Sequence, residues 1–239
     1  MAGRPLDGHA DRTDNASKAF PAAGELTAGS GRVRMWGALA IPPPENAEDA
    51  MAGAASQIED IRQELQQARE WAHRVAGQAG ERWGVRPAPE RWSVAECLIH
   101  LNATSTAFLS RIREALSVAH RDGLRGREPY RRDFWGWALC RMLEPPARMK
   151  MKTPRSFQPS GAEPPAKVLA DFDRLQDLLL QCVQGSEGLP LGRLKIPSPF
   201  AKGLKYSLYS AYRVVPAHQR RHLWQAEQAL AAIPHAPRD

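Results

Sequence analysis

The chain has 239 residues, 43% of them hydrophobic, enough for one domain of ordinary size with a substantial core. No run of about eighteen apolar residues occurs, so a membrane-spanning helix is not expected, nor is a membrane partner. Cys97, Cys140 and Cys182 are odd in number, far apart and without a C-x-x-C pair, which argues against a disulfide scaffold or a cysteine-rich zinc module. The formal charge is +7, unevenly placed: residues 1–50 hold five basic and seven acidic residues, whereas residues 111–155 hold twelve basic and five acidic ones. That basic stretch carries no aromatic-interleaved or helix-turn-helix signature, so its ordinary reading is a solvated arginine-rich face and nucleic acid is not an expected partner.

Residues 1–48 are rich in Gly, Ala, Pro and polar side chains without a sustained period, and are expected to form a disordered tail. The first twenty residues carry Asp7, Asp11 and Asp14 and no apolar core, so they read as neither signal nor transit peptide. A cytoplasmic protein is expected, with one domain over 49–233 and a short C-terminal tail over 234–239.

The spacing predicts a first helix over 51–79. Ile58, Ile61, Leu65, Ala68, Ala72, Val75 and Ala79 recur in steps of three and four. Gly80, Gly84 and the segment RPAPE break the chain after it. A second helix opens at Ser93, where Ser93 and Glu96 have capping-box spacing, and continues to about His120. His100 lies on its apolar face with Cys97, Leu101, Thr104 and Phe108.

A basic loop follows, then a short aromatic helix, DFWGWALCRML, stopped by Pro145 and Pro146. KTPRSFQPSGAEPP reads as an extended connection. A third main helix is predicted over 166–184, with Val168, Leu169, Phe172, Leu175, Leu178, Leu179 and Cys182 inward. GLPLGRLKIPSPFAKG reads as a loop. The last helix is predicted over 207–232, kinked or restarted at Pro216. No alternating β pattern of useful length is visible. The expected fold is all-α, a four-helix bundle, and bundle interiors commonly house metal sites.

His218 and His222 stand four residues apart in AHQRRH, one turn apart on one helix face. With His100 from another helix they form a candidate three-imidazole metal site that leaves coordination positions open. The spacing alone is weak evidence, because a buried polar network holding two helices in register would use the same residues. Gln225, one turn beyond His222, is a candidate to orient a ligand or a water. Arg221, with Arg220, is a candidate to hold a substrate carboxylate, although such arginines more often form surface ion pairs. Cys97 reads as a core thiol before a fourth ligand, and Trp92 as packing at the entrance of the second helix.

WSVAECLIHLN, followed much later by PAHQRRHLWQAEQ, resembles the DinB-like superfamily. RPAPERWS and KYSLYSAYRVV also resemble it, and the likeness spans about residues 51–232. The resemblance implies an up-and-down-like four-helix bundle with a long crossover. It implies a divalent metal held by His100, His218 and His222. The aromatic segment at Trp135 and Trp137 and the prolines at 145, 146, 164 and 165 exceed a minimal family bundle, which leaves the pocket shape and substrate open.

Relatives of that kind include metal-dependent transferases of small thiols and hydrolases. The implied reading is therefore an S-transferase acting on electrophiles with a low-molecular-weight thiol. A hydrolase on the same site and a non-enzymatic metal-binding stress protein are the rivals. Zinc and nickel head the metals, with iron, manganese and copper also compatible with imidazole. A homodimer is left open, since faces of such bundles often pair.

Overall fold

The computed structural model describes residues 56–146, 152–159, 161 and 163–234. The expected tail over 1–48, and most of the expected C-terminal one, lie outside the described residues. Five helices and one small hairpin make up the described part: α1 (Gln57–Ala79), α2 (Val94–Arg121), α3 (Phe134–Leu143), α4 (Pro165–Gln184), β1 (Lys195–Pro197), β2 (Lys205–Ser207) and α5 (Leu208–Ala231).

The seven apolar stripe positions predicted for the first helix are all buried in α1. Its N-terminus is closed from a distance. The Glu128 carboxylate accepts from the Gln57 amide at 3.1 Å and the Ile58 amide at 3.0 Å, satisfying donors that have no partner within the helix. Gly80, at φ 51, ends the helix in a conformation that disfavours side chains with a Cβ.

The capping box of α2 forms as the spacing predicts. The Glu96 amide donates to Ser93 Oγ at 3.2 Å, and the Ser93 amide donates to Glu96 Oε2 at 2.9 Å. Arg86, from the preceding loop, clamps the same carboxylate. Burial alone would push the Glu96 carboxyl up, but Arg86 and Ser93 outweigh it and hold the group below its ordinary value.

Helix α3 is pinned by Asp133. Its carboxylate accepts from the Gly136 amide at 3.0 Å, Ser210 Oγ at 3.0 Å, the Ser207 amide at 2.6 Å and Lys195 Nζ at 2.7 Å. One side chain thus joins the start of α3, the start of α5 and the hairpin. Gly136 faces Ser210 so closely that a Cβ there would overlap the serine side chain.

Two expectations differ from the structure. The segment read wholly as loop contains β1, which pairs antiparallel with β2 just beyond it; Ile196 faces Tyr206 and both are buried. Each strand has only three residues, too few for an alternating pattern to show. Of the two readings of Pro216, the restart is overturned: helix α5 is continuous through it. Pro216 and its neighbours Val215 and Ala217 are all buried, and that packing offsets the missing backbone donor.

Helices α1 and α2, consecutive in the chain, sit across the bundle from one another, each flanked by α4 and α5. The core falls into two apolar clusters. One holds Ile61, Leu65, Phe108, Ile112, Leu179 and Tyr212. The other holds Ala72, Val94, Leu98, Leu101, Phe172 and Leu223. Where they meet, the interior is polar: His100, Gln176, His218, Gln219 and His222 are all buried there. No described helix is long and apolar enough to cross a membrane.

Candidate metal centre

Helix α2 supplies His100, and α5 supplies His218 and His222. Their relative exposures are 3%, 6% and 7%, so all three rings are nearly withdrawn from water. One ligand atom from each lies within 4.8 Å of the others. His100 Nε2 is 3.3 Å from His218 Nε2.

The tautomer of His100 follows from its other contact. Nδ1 lies 2.7 Å from the Phe157 carbonyl oxygen, which can only accept, so Nδ1 carries the hydrogen. In the neutral ring Nε2 is then a lone pair directed at His218. A backbone carbonyl orienting an imidazole in this manner is the usual outer support of a metal ligand. His222 Nδ1 is buried with no hydrogen-bond partner among the described residues.

Burial pushes His218 and His222 well below the usual imidazole value, the neighbouring imidazoles push the same way, and the Arg221 charge adds to it. Burial also lowers His100, against the opposing pull of the Phe157 carbonyl. Three neutral, nitrogen-rich rings facing one point suit a divalent cation. Tetrahedral zinc, with Zn–N of about 2.0–2.1 Å, separates its ligands by about 3.3–3.4 Å, which the His100–His218 pair matches. The donor set therefore fits a metal.

Around the histidines the walls are aromatic. Trp92 stacks on His222 with ring centroids 5.7 Å apart and planes at 26°. Its ring is also 4.9 Å from His100. Phe200 lies 5.1 Å from His218. Trp92 is thus part of the surround of the site as well as of the helix entrance.

The remaining sequence candidates divide. Gln225 sits against His222 and favours its charged form. Arg221 is buried beside the histidines and donates to the Met142 carbonyl at 3.1 Å, at the end of α3. Arg220 turns elsewhere. It donates to Glu64 Oε2 at 2.9 Å and forks onto the Glu144 carboxylate, tying α1 and the end of α3 to α5. Cys97 is fully buried and its thiol is pushed far up by burial, the behaviour of a core thiol.

Sequence reasoning missed four contributors. Phe157 acts through its main chain and Phe200 through packing from a loop, and neither leaves a motif. Gln176 and Gln219 did leave a signal, as amides on otherwise apolar faces. Gln176 Nε2 donates to Gln219 Oε1 at 3.2 Å and to the Leu65 carbonyl at 3.0 Å, and Gln219 Nε2 returns a bond to Gln176 Oε1 at 3.0 Å.

A family profile described as the DinB superfamily matches residues 65–226, a span that contains all three histidines. The chain belongs to the DinB superfamily. No curated protein and no solved structure matches it. Membership agrees with the helical architecture and with a three-histidine cluster that could hold a metal ion.

Proposed function

We propose that this DinB superfamily member is a cytoplasmic metal-dependent enzyme that moves a low-molecular-weight thiol onto an electrophile. His100, His218 and His222 would hold the cation, with zinc or nickel the first choices. The observation that supports the metal reading is the pair of buried Nε2 atoms 3.3 Å apart, one of them fixed as a lone pair by the Phe157 carbonyl. Bound there, a divalent cation supplies the Lewis acidity that makes a thiol or a water nucleophilic near neutral pH.

The chain's own residues then have distinct tasks. The Phe157 carbonyl keeps the His100 lone pair pointing inward. Trp92 and Phe200 exclude water from the rings they cover. Arg221 places positive charge beside the site, which favours an anionic thiolate or a substrate carboxylate. Gln225 steadies His222. In the transfer a carbon–sulfur bond forms as the bond from that carbon to its leaving group breaks. The leaving group departs with the electron pair, and the thiol proton passes to solvent.

Elemental analysis of purified protein beside the triple variant His100→Ala, His218→Ala, His222→Ala tests the site first. About one metal per chain in the wild type and none in the variant is the expected result. The metal-loaded protein is then mixed with small thiols and a chlorinated nitroaromatic. Thiol-dependent release of chloride supports the transferase. Ester or amide turnover without thiol points to a hydrolase, and stabilisation by metal with no turnover points to a binding protein.

A further inference from the structure

Helix α3 is apolar on both sides. Gly136, Cys140 and Leu143 face the bundle and are buried. The opposite side carries Phe134, Trp135, Trp137 and Met142, which are 66%, 52%, 51% and 38% exposed. Among the described residues, these are four of the six large hydrophobic side chains left open, all on one ten-residue helix. Gathered in this way, they form a patch rather than the scattered apolar surface of any protein.

The exposed charges on α3 and just before it are positive. Helix α3 contains no acidic residue, and Arg131, Arg132 and Arg141 are exposed along it. The two acids that bracket it are engaged inward: Asp133 by Lys195, Ser207 and Ser210, and Glu144 by Arg220. Arg131 and Arg141 make no ion pair with any described residue. An open groove of about 500 Å³ adjoins the patch, and its lining includes Arg131, Arg132, Phe134, Trp137 and the inward-engaged Asp133.

We propose that α3 is a contact surface for an anionic membrane, with its aromatic side chains entering the headgroup region and Arg131 and Arg141 meeting lipid phosphates. Tryptophan flanked by cationic side chains is the composition that bilayer interfaces favour. Basic residues near the surface are drawn to anionic lipid. A second copy of the chain fits less well. Face to face it would set arginine against arginine, and three part-exposed aromatic side chains offer on the order of 300–400 Å² against about 800 Å² per partner in a stable interface. Single-stranded nucleic acid would use the aromatic faces and the charge but not Met142. This contact is peripheral and needs no spanning segment.

Vesicle flotation of the full chain tests the proposal, using phosphatidylcholine alone and phosphatidylcholine mixed with phosphatidylglycerol. The wild type should float with the mixed vesicles, release as salt rises, and have its tryptophan emission quenched by lipids brominated on the acyl chain. Arg131→Gln and Arg141→Gln should each weaken binding about fivefold. Trp135→Ser with Trp137→Ser should weaken it at least tenfold. All four substitutions are on exposed side chains, and an unchanged melting temperature shows that each variant folds. Failure of the wild type to float with the mixed vesicles overturns the proposal, and so does flotation that survives loss of both tryptophans. Tryptophan-dependent dimers without vesicle binding overturn it in favour of a second copy. Retention on single-stranded DNA without vesicle binding overturns it in favour of nucleic acid.

Discussion

His100 Nε2 and His218 Nε2 meet at 3.3 Å inside the bundle although 118 positions separate the residues. His100 Nε2 offers a lone pair there, so a hydrogen on His218 Nε2 or a cation lies between the two nitrogens. A metal that binds only the folded chain therefore stabilises it by mass action. At a free concentration about a hundredfold above Kd the gain is about 2.7 kcal/mol, a rise in Tm of roughly 5–10 °C for a domain of this size. Calorimetry with and without a chelator measures it. The triple histidine variant should show no metal-dependent shift, and an equal shift in that variant would place the cation elsewhere.

Gln176 and Gln219 exchange hydrogen bonds in the same polar layer. Replacing one partner leaves a buried amide unsatisfied, so Gln219→Leu should cost about 1–3 kcal/mol. Adding Gln176→Leu should recover part of that loss, since two apolar side chains satisfy one another. Urea midpoints across the double-mutant cycle measure the coupling, and strictly additive losses would show that the two amides act independently.

Glu96 sets an acid limit on the start of α2. Its folded value lies below the ordinary 4.5, so protonation costs more in the folded chain than in the unfolded one. The stability it contributes is complete above that ordinary value and is lost as pH falls through the folded value. Arg86→Met should reduce stability at neutral pH and flatten the loss below about pH 4.5. Parallel pH profiles for wild type and variant would show that the Arg86 clamp is not responsible. Ser93→Ala removes the cap itself and should cost about 1 kcal/mol.

Gly136→Ala tests how α3 is seated. The added methyl would overlap the Ser210 side chain, whose hydroxyl donates to Asp133. The helix must shift outward, with a cost of about 1–3 kcal/mol. Faster amide exchange in α3, with α1 and α2 unchanged, is the expected signature. Uniform loss of protection would show instead that α3 unfolds with the whole bundle.

The features legible in the sequence were local ones. The Ser93–Glu96 box, the stripe from Ile58 to Ala79 and the one-turn spacing of His218 and His222 each repeat a helical period within a short segment. The partnership of His100 with the other two histidines was not a matter of spacing: residue chemistry on an apolar helix face made it a candidate, and resemblance to a family strengthened it. What stayed hidden depends on distant partners or on main chain. The Phe157 carbonyl has no residue type to announce it. Pro216 reads as a break because local propensity disfavours it, while packing around α5 decides otherwise. Ile196 and Tyr206 pair across strands too short for periodicity to register.

The diagonal placement of α1 and α2 bears on synthesis of the chain. A ribosome that has released only those two helices leaves each apolar face without the neighbours it closes on, because both wait for α4 and α5. Early collapse into a helical hairpin is then unproductive, and a nascent chain stalled before residue 208 displays sticky surface to chaperones and proteases. Codon changes that slow translation between α2 and α5 should lower soluble yield more than the same changes placed upstream of α1.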